Sequence, residues 1–289
     1  MIEQCKGKDL IKVPSSKLNR GLWFGATKYD GHYGQIHKLV DSVVFYTSGG
    51  KPFKLPKLEQ ELITAFGSMQ FVLEYEYNME NTGMLGDRTK CGKLTTYRTN
   101  TEKGICNSSL EGKEVFRVFD IISYDGELIT TPFSNRLKTL TQFSKQFPTR
   151  IQLVEFDCLP LEDQIADAKR LVKLGWEGKY IKHPNHTYQL GKRVNEAIKL
   201  KYRPTADLLC IGVEPGEGKY LGMIGSLVLK DSASRIVKVG SGLSDSDRVK
   251  LPSQFIGQVI EVEYEQILDT YIQPTYIQVR EEKSEKEID

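Results

Sequence analysis

The chain has 289 residues, a formal net charge of +2, and hydrophobic and charged fractions of 39% and 27%, enough for one large or two modest domains with cores of their own. No apolar run approaches the length of a membrane span, and Lys6, Lys8 and Asp9 stand where a secretory signal would be apolar, so a cytoplasmic protein with no membrane partner is expected. Its five cysteines (Cys5, Cys91, Cys106, Cys158, Cys210) are odd in number, scattered and without a C-x-x-C pair, which argues against a disulfide framework and a structural zinc site.

In chain order, residues 24–28, 34–37 and 43–47 read as short strands separated by Gly or Asp. Leu55, Leu58, Leu62 and Phe66 then recur at helical spacing, and strands are expected over 71–77, 111–123 and 150–156. After Pro160 the stripe Leu161, Ile165, Ala168 and Val172 marks a helix that Gly175 stops. Strands over 178–182 and 197–202 complete an α+β domain rich in antiparallel sheet, residues 1–203. Arg203-Pro204-Thr205 reads as a linker, because proline stiffens the chain and the character of the sequence changes after it. Residues 204–289 then hold short strand segments over 208–213, 223–229, 236–240, 259–264 and 276–280, the count of a small five-stranded barrel. Periodicity alone does not separate an OB-fold from an SH3-like barrel.

Several short patterns carry chemistry. Lys28-Tyr29-Asp30-Gly31 is by itself a turn signal, since Asp-Gly is common in turns. A lysine with an ordinary pKa of about 10.4 acts as a nucleophile only where its surroundings favour the neutral amine. Residues two apart on a strand share a face, so Glu74 and Glu76 point together, as do Lys199 and Lys201. In isolation each pair is a solvated strand face; in a site, the acids suit a sugar hydroxyl, a lysine or a metal, and the lysines suit a phosphate. Glu177 opens the segment Glu177-Gly178-Lys179-Tyr180-Ile181-Lys182, and Phe119-Asp120 lies on a strand otherwise readable as core. Arg88, Lys90, Lys93 and Arg98 form a basic cluster that reads as a solvated loop or as a contact for nucleic-acid phosphates.

The order of these patterns is Lys-x-Asp-Gly, Glu-x-Glu, Phe-Asp, Glu-Gly, Lys-x-Lys and then a small barrel. It resembles the order of nucleotidyltransferase motifs shared by ATP-dependent DNA ligases, RNA ligases and mRNA capping enzymes. The segment from Gly218 through Gly225-Ser226-Leu227 and Gly240-Ser241-Gly242 to Arg248 is similar to the OB domain of ATP-dependent DNA ligases, and the end, Arg280-Glu281-Glu282-Lys283, resembles their last motif, usually R-x-D-K. The likeness runs from about Phe24 to Lys283 and is that of a minimal two-domain enzyme of phages, large DNA viruses and some bacteria.

This resemblance implies a nucleotidyltransferase (adenylation) domain followed by an OB-fold domain, and a monomer that seals nicked double-stranded DNA in bacterial or infected-cell cytoplasm, using ATP and Mg²⁺ or Mn²⁺. Lys28, beside Thr27, would carry the covalent AMP and Asp30 would support the nicked-strand chemistry. Glu76 and Glu177 would serve metal or ribose, Phe119 would stack on adenine, and Lys199 and Lys201 would hold the α-phosphate. Arg280 and Lys283 would orient the leaving pyrophosphate when the barrel closes. Arg88, Lys90, Lys93 and Arg98 are the expected DNA contacts.

The chain also departs from the family pattern. Tyr33 and Gly49 stand where arginines are usual, Tyr75 where motif III has glycine, Lys179 at a position usually apolar and Glu282 for the customary aspartate. The rival readings are an RNA ligase or capping-type guanylyltransferase, and a non-catalytic nucleic-acid-binding protein of the same fold.

Overall fold

The computed structural model describes residues 1–18, 21–80, 83–84, 113–267 and 269–289. Arg88, Lys90, Lys93 and Arg98 lie outside the described residues. The chain divides into two compact units, Met1–Tyr202 and Arg203–Asp289. No helix among the described residues is long and apolar enough to cross a membrane.

The first unit runs β1 (Lys6–Asp9), β2 (Leu22–Thr27), β3 (His32–Lys38), β4 (Val43–Thr47), β5 (Pro52–Phe53), α1 (Pro56–Phe66), β6 (Phe71–Met79), β7 (Glu114–Tyr124), β8 (Glu127–Leu128), α2 (Phe133–Ser144), β9 (Ile151–Leu153), β10 (Asp157–Pro160), α3 (Leu161–Lys173), β11 (Gly178–Lys182) and β12 (Arg193–Lys201). Two sheets result. One has the order β1-β12-β11-β2-β10, and the other β5-β4-β3-β6-β7-β8 with β9 beside β7. Most pairings are antiparallel, but β1 joins β12 and β9 joins β7 in parallel.

Helix α1 starts with Pro56, whose missing N–H costs nothing there, and buries Leu58, Leu62 and Phe66 at four-residue spacing against the second sheet. Helix α3 covers the first sheet. Its stripe includes Leu161 and Ala168, as the periodicity indicated, but also buried Gln164, whose amide donates to the Trp23 carbonyl at 2.8 Å and to Asp157 at 2.5 Å. The Gln164 amide nitrogen is satisfied by these two bonds, while Oε1 is buried without a partner.

Two elements lack the expected sequence pattern. Helix α2 buries Phe133, Arg136 and Leu140, and the arginine in that stripe hides its apolar periodicity. Strand β1, Lys-Gly-Lys-Asp, has no apolar alternation at all and exists because β12 supplies its hydrogen-bonding edge.

The second unit is an antiparallel five-stranded sheet of order β15-β14-β13-β16-β19, from β13 (Thr205–Pro215), β14 (Ile224–Lys230), β15 (Ile236–Val239), β16 (Val259–Glu263) and β19 (Thr275–Val279), with a hairpin of β17 (Gln266–Ile267) and β18 (Tyr271–Ile272). Thr205, expected in the linker, already pairs with Glu263. Leu208, Leu227, Leu229, Phe255 and Val262 fill its core. Together the units give the α+β architecture, a mixed domain of sheets and helices followed by a mostly β one, that the sequence indicated.

Candidate active site

A cavity of about 430 Å³ opens between the two sheets of the first unit, a volume in the range of roughly 300–1,000 Å³ common for small-molecule sites. Thr27, Lys28, Glu76, Phe119, Lys199 and Lys201 all line it. Strand register accounts for this gathering. β11 lies between β2 and β12, with Lys179 opposite Thr27 on one side and Tyr180 opposite Lys199 on the other.

Lys28 follows the last residue of β2, and its backbone N–H donates to the Gly178 carbonyl at 2.9 Å. That bond places Lys28 beside the residue preceding β11. The Lys28 ammonium donates to Glu177 Oε2 at 2.5 Å, while Lys201 pairs with the other oxygen of the same carboxylate. Burial alone would raise the Glu177 pKa, but Lys28 and Lys201 hold it below the ordinary carboxylate value. Glu76 accepts the Gly31 backbone N–H at 3.1 Å, which fixes the turn after Lys28. Asp30, by contrast, is not among the residues lining the cavity; its backbone is anchored by the Gly83 carbonyl and the Asn78 amide.

Glu74 reaches the cavity from the same face of β6, as the two-residue spacing implied, but it is buried. Its Oε1 accepts from the Tyr33 hydroxyl at 2.5 Å and from the Tyr188 hydroxyl at 2.7 Å. Burial, reinforced by the charge of Asp120, pushes the Glu74 pKa up to about 7. Burial and the facing Glu74 likewise raise both phenols, so they remain donors. Tyr33, in the position of a usual arginine, therefore supplies a neutral hydroxyl committed to a carboxylate.

Beneath Phe119 lies a buried charge cluster. Arg136 grips both oxygens of Asp120 at 2.8 and 3.1 Å, and Lys182 adds a third bond at 2.5 Å. Although burial opposes it, these two cations hold the Asp120 carboxyl well below its usual range. The Lys182 ammonium also lies 5.3 Å from the Phe119 ring centroid. Lys179, the cation at a usually apolar position, is buried and neutralised by Asp157 and Asp167.

In the second unit Arg280 pairs with Glu282 at 2.6 Å and with Asp207 and Glu261 at 3.4 Å, and Lys283 pairs with Asp207 at 2.5 Å. Sequence reasoning did not single out Tyr188, Lys182, Arg136, Lys6 or Arg193, all of which line or brace the cavity. The run Gly191-Lys192-Arg193 was the visible signal for the last.

Residues 8–201 match the family model described as the ATP dependent DNA ligase domain, and residues 215–277 match a DNA ligase OB-like domain. A DNA ligase of Thermococcus onnurineus (strain NA1) is 28% identical over 302 residues, covering 91% of this chain and 52% of the relative. One from Methanothermobacter thermautotrophicus is 26% identical over 276 residues, covering 89% and 49%. The chain thus spans about half the length of these relatives. Among solved structures, one from a structure-function study of Lig E DNA ligases superposes with a TM-score of 0.64 at 18% identity, covering 97% of this chain and all (100%) of the other. The bacteriophage T7 ATP-dependent DNA ligase in complex with ATP gives 0.55 at 14% identity, covering 96% and 98%. These likenesses concern the fold, whereas the family assignment rests on the sequence model, which takes in most of the first unit: the chain belongs to the ATP-dependent DNA ligase domain family.

Proposed function

We propose that the protein is an ATP-dependent DNA ligase that joins 5′-phosphate and 3′-hydroxyl ends at nicks in duplex DNA, acting as a monomer in the cytoplasm. One observation carries this reading. Lys28, bonded to Glu177, shares a single cavity with Phe119 and the lysine pair Lys199 and Lys201 in a chain of this family.

In the first step the Lys28 amine attacks the α-phosphorus of ATP, forming a P–N bond as the bond to the β-phosphate oxygen breaks and pyrophosphate leaves. Glu177, 2.5 Å from Nζ, is the acceptor placed to take the proton that the amine sheds. Lys199 and Lys201 neutralise charge on the phosphate during transfer, which is most of what phosphoryl transfer asks of a protein. Phe119 offers a ring face to the base. The AMP then passes to the 5′-phosphate of the nick, and the 3′-hydroxyl displaces it with release of AMP.

Among the described residues no group of three or more His, Cys, Asp or Glu side chains forms a metal cage. Glu76 lines the cavity and would hold Mg²⁺ or Mn²⁺ together with nucleotide phosphates and water, whereas Glu177 would join it only by giving up an oxygen now paired with Lys28 or Lys201. A bound divalent ion would supply charge neutralisation at those phosphates.

The test is to incubate the protein with labelled ATP or GTP and Mg²⁺, then to chase with nicked DNA or nicked RNA. Label from ATP that is discharged by nicked DNA supports the proposal. Label from GTP would favour a capping-type enzyme, discharge by RNA alone an RNA ligase, and no label at all a binding protein.

A further inference from the structure

In the second unit the chain that follows β19 folds back onto β13. Strand β14 pairs with β13 only from Leu209 on, and beside Asp207 its place is taken by Asp289. The Asp289 carboxylate accepts the Asp207 N–H at 2.6 Å, its own N–H donates to the Asp207 carbonyl at 3.0 Å, and the Ser232 N–H donates to Asp289 at 2.8 Å. The segment between β19 and Asp289 brings two cations to the Asp207 side chain, Lys283 at 2.5 Å and Arg280 at 3.4 Å.

Asp207 differs from the other acids around this pair. Its side chain is 9% exposed and meets both cations, whereas Glu282, 64% exposed, and Glu261 pair with Arg280 alone. An exposed pair such as Arg280 with Glu282 fixes little, because long side chains leave it at small cost. A nearly buried carboxylate holds its cations harder, since their departure would leave its charge uncompensated.

The grip leaves donors unspent. Among the described residues Arg280 Nη2 makes no hydrogen bond, and the Lys283 ammonium donates to Asp207 alone. Two cations gathered on one carboxylate, each with free N–H groups, suit an anion with several oxygens. Charge fixed before the reaction is also what phosphoryl transfer asks of a protein.

We propose that Asp207 is a positioning residue for pyrophosphate: its carboxylate holds Arg280 and Lys283 together, ready for the anion that leaves when Lys28 takes up AMP. The inference rests on the ligase reading and on the role expected of those two cations, and its test separates the claims.

The full-length protein is labelled with ATP, freed of nucleotide and divided between two chases. Pyrophosphate attacks the lysyl-AMP phosphorus, forming the P–O bond of ATP as the P–N bond breaks and the Lys28 nitrogen takes a proton; nicked duplex takes the AMP with no pyrophosphate present. Asp207→Asn keeps the size of the side chain and removes its charge. The pyrophosphate concentration for half-maximal ATP formation is expected to rise about tenfold, the worth of one charged hydrogen bond, with discharge to nicked duplex unchanged. In a protein already carrying Arg280→Ala and Lys283→Ala, Asp207→Asn is expected to add nothing, because it acts through those two residues. Asp207→Glu moves the charge by one methylene and should fall between wild type and Asp207→Asn. If a melting curve shows Asp207→Asn unfolded, a loss in Asp207→Glu confined to the pyrophosphate chase supports the proposal, and its absence overturns it. Equal losses in both chases, or wild-type pyrophosphate dependence in folded Asp207→Asn, also overturn it. Failure of the wild-type protein to label with ATP would instead sink the ligase reading. Calorimetric titration of the unlabelled proteins with pyrophosphate would then decide the role of Asp207, weaker binding in the variant supporting it and equal binding overturning it.

Discussion

The Lys28 ammonium lies 2.5 Å from Oε2 of Glu177, held there because the Lys28 backbone N–H is bonded to Gly178, the next residue along. The proposed nucleophile and the carboxylate proposed to take its proton are thus set by one backbone bond between two strands of a single sheet. Lys28→Ala is expected to abolish labelling by ATP with the fold retained, since Lys28 is part of no apolar core. Lys28→Arg is expected to be equally inactive, because a guanidinium offers no free lone pair at neutral pH. Gel autoradiography after incubation with labelled ATP is the measurement; label retained on either variant removes Lys28 as the nucleophile.

Arg280 and Lys283 are half-buried, and both pair with the carboxylate of Asp207, which is 7% exposed. Replacing both with alanine strands that carboxylate and is expected to lower the melting temperature of the second unit, so folding at the assay temperature is checked beside activity. Formation of lysyl-AMP is expected to slow at least tenfold, whereas sealing of nicks supplied with a 5′-adenylate is expected to persist, because only the first step expels pyrophosphate. Equal losses in both assays would assign the two residues to DNA binding.

Arg136 is 1% exposed and holds both oxygens of Asp120. Removing it leaves the buried Asp120 carboxylate with Lys182 as its one remaining cation and empties the space the guanidinium fills. Arg136→Ala should cost on the order of 3–5 kcal/mol in the stability of the first unit. Urea unfolding followed by the fluorescence of Trp23, buried in that unit, measures it; a cost under about 1 kcal/mol would mean that water reaches Asp120.

Glu74 makes stability depend on pH in a direction that can be worked out. Its pKa is raised from 4.5 to about 7 in the folded protein, so its contribution is fully present below the unfolded value and is lost as pH rises through the folded one. The loss is on the order of 3 kcal/mol. His37 and His186, lowered by burial to about 4 and about 3, act in the opposite sense over an overlapping window. The stability difference between the wild type and Glu74→Gln isolates the carboxyl. Wild type minus variant should fall steadily from pH 5 to pH 7.5, and a flat difference would show that Glu74 is ionised throughout.

Local patterns made part of this site readable. Strand alternation put Glu74 and Glu76 on one side, and likewise Lys199 and Lys201, and the structure brings all four to the cavity. The four-residue stripe of α1 was equally plain. What escaped was the part that depends on residues distant in sequence. Lys6 meets Arg193 only because β1 pairs in parallel with β12, and no short window contains both. Tyr33 could be seen as a missing arginine, but its bond to Glu74 follows from the β3–β6 register, which sets Tyr33 beside Glu76 and Gln35 beside Glu74. Helix α2 was hidden because its buried face carries Arg136, a charge that makes sense only once Asp120 is placed beneath it.

Gly178 links fold and chemistry most tightly. Its φ of 126° is a conformation that side-chain-bearing residues rarely adopt, and a Cβ there would stand 2.0 Å from the Leu200 carbonyl oxygen. That oxygen belongs to the backbone of β12, which carries Lys199 and Lys201, so the clash is not relieved by a simple rotamer change. Gly178→Ala should push β11 and β12 apart just where Glu177 bridges Lys28 and Lys201. Displacing a catalytic group by about 1 Å can cost on the order of a hundredfold in rate. The variant is therefore expected to lose at least that factor in labelling by ATP. Gly67→Ala, also at positive φ (52°) but with no heavy atom within 4 Å of the new Cβ, is the control for backbone strain alone and should label almost normally. If the two variants lose labelling equally, general destabilisation accounts for the effect, and the position of Glu177 is not what Gly178 protects.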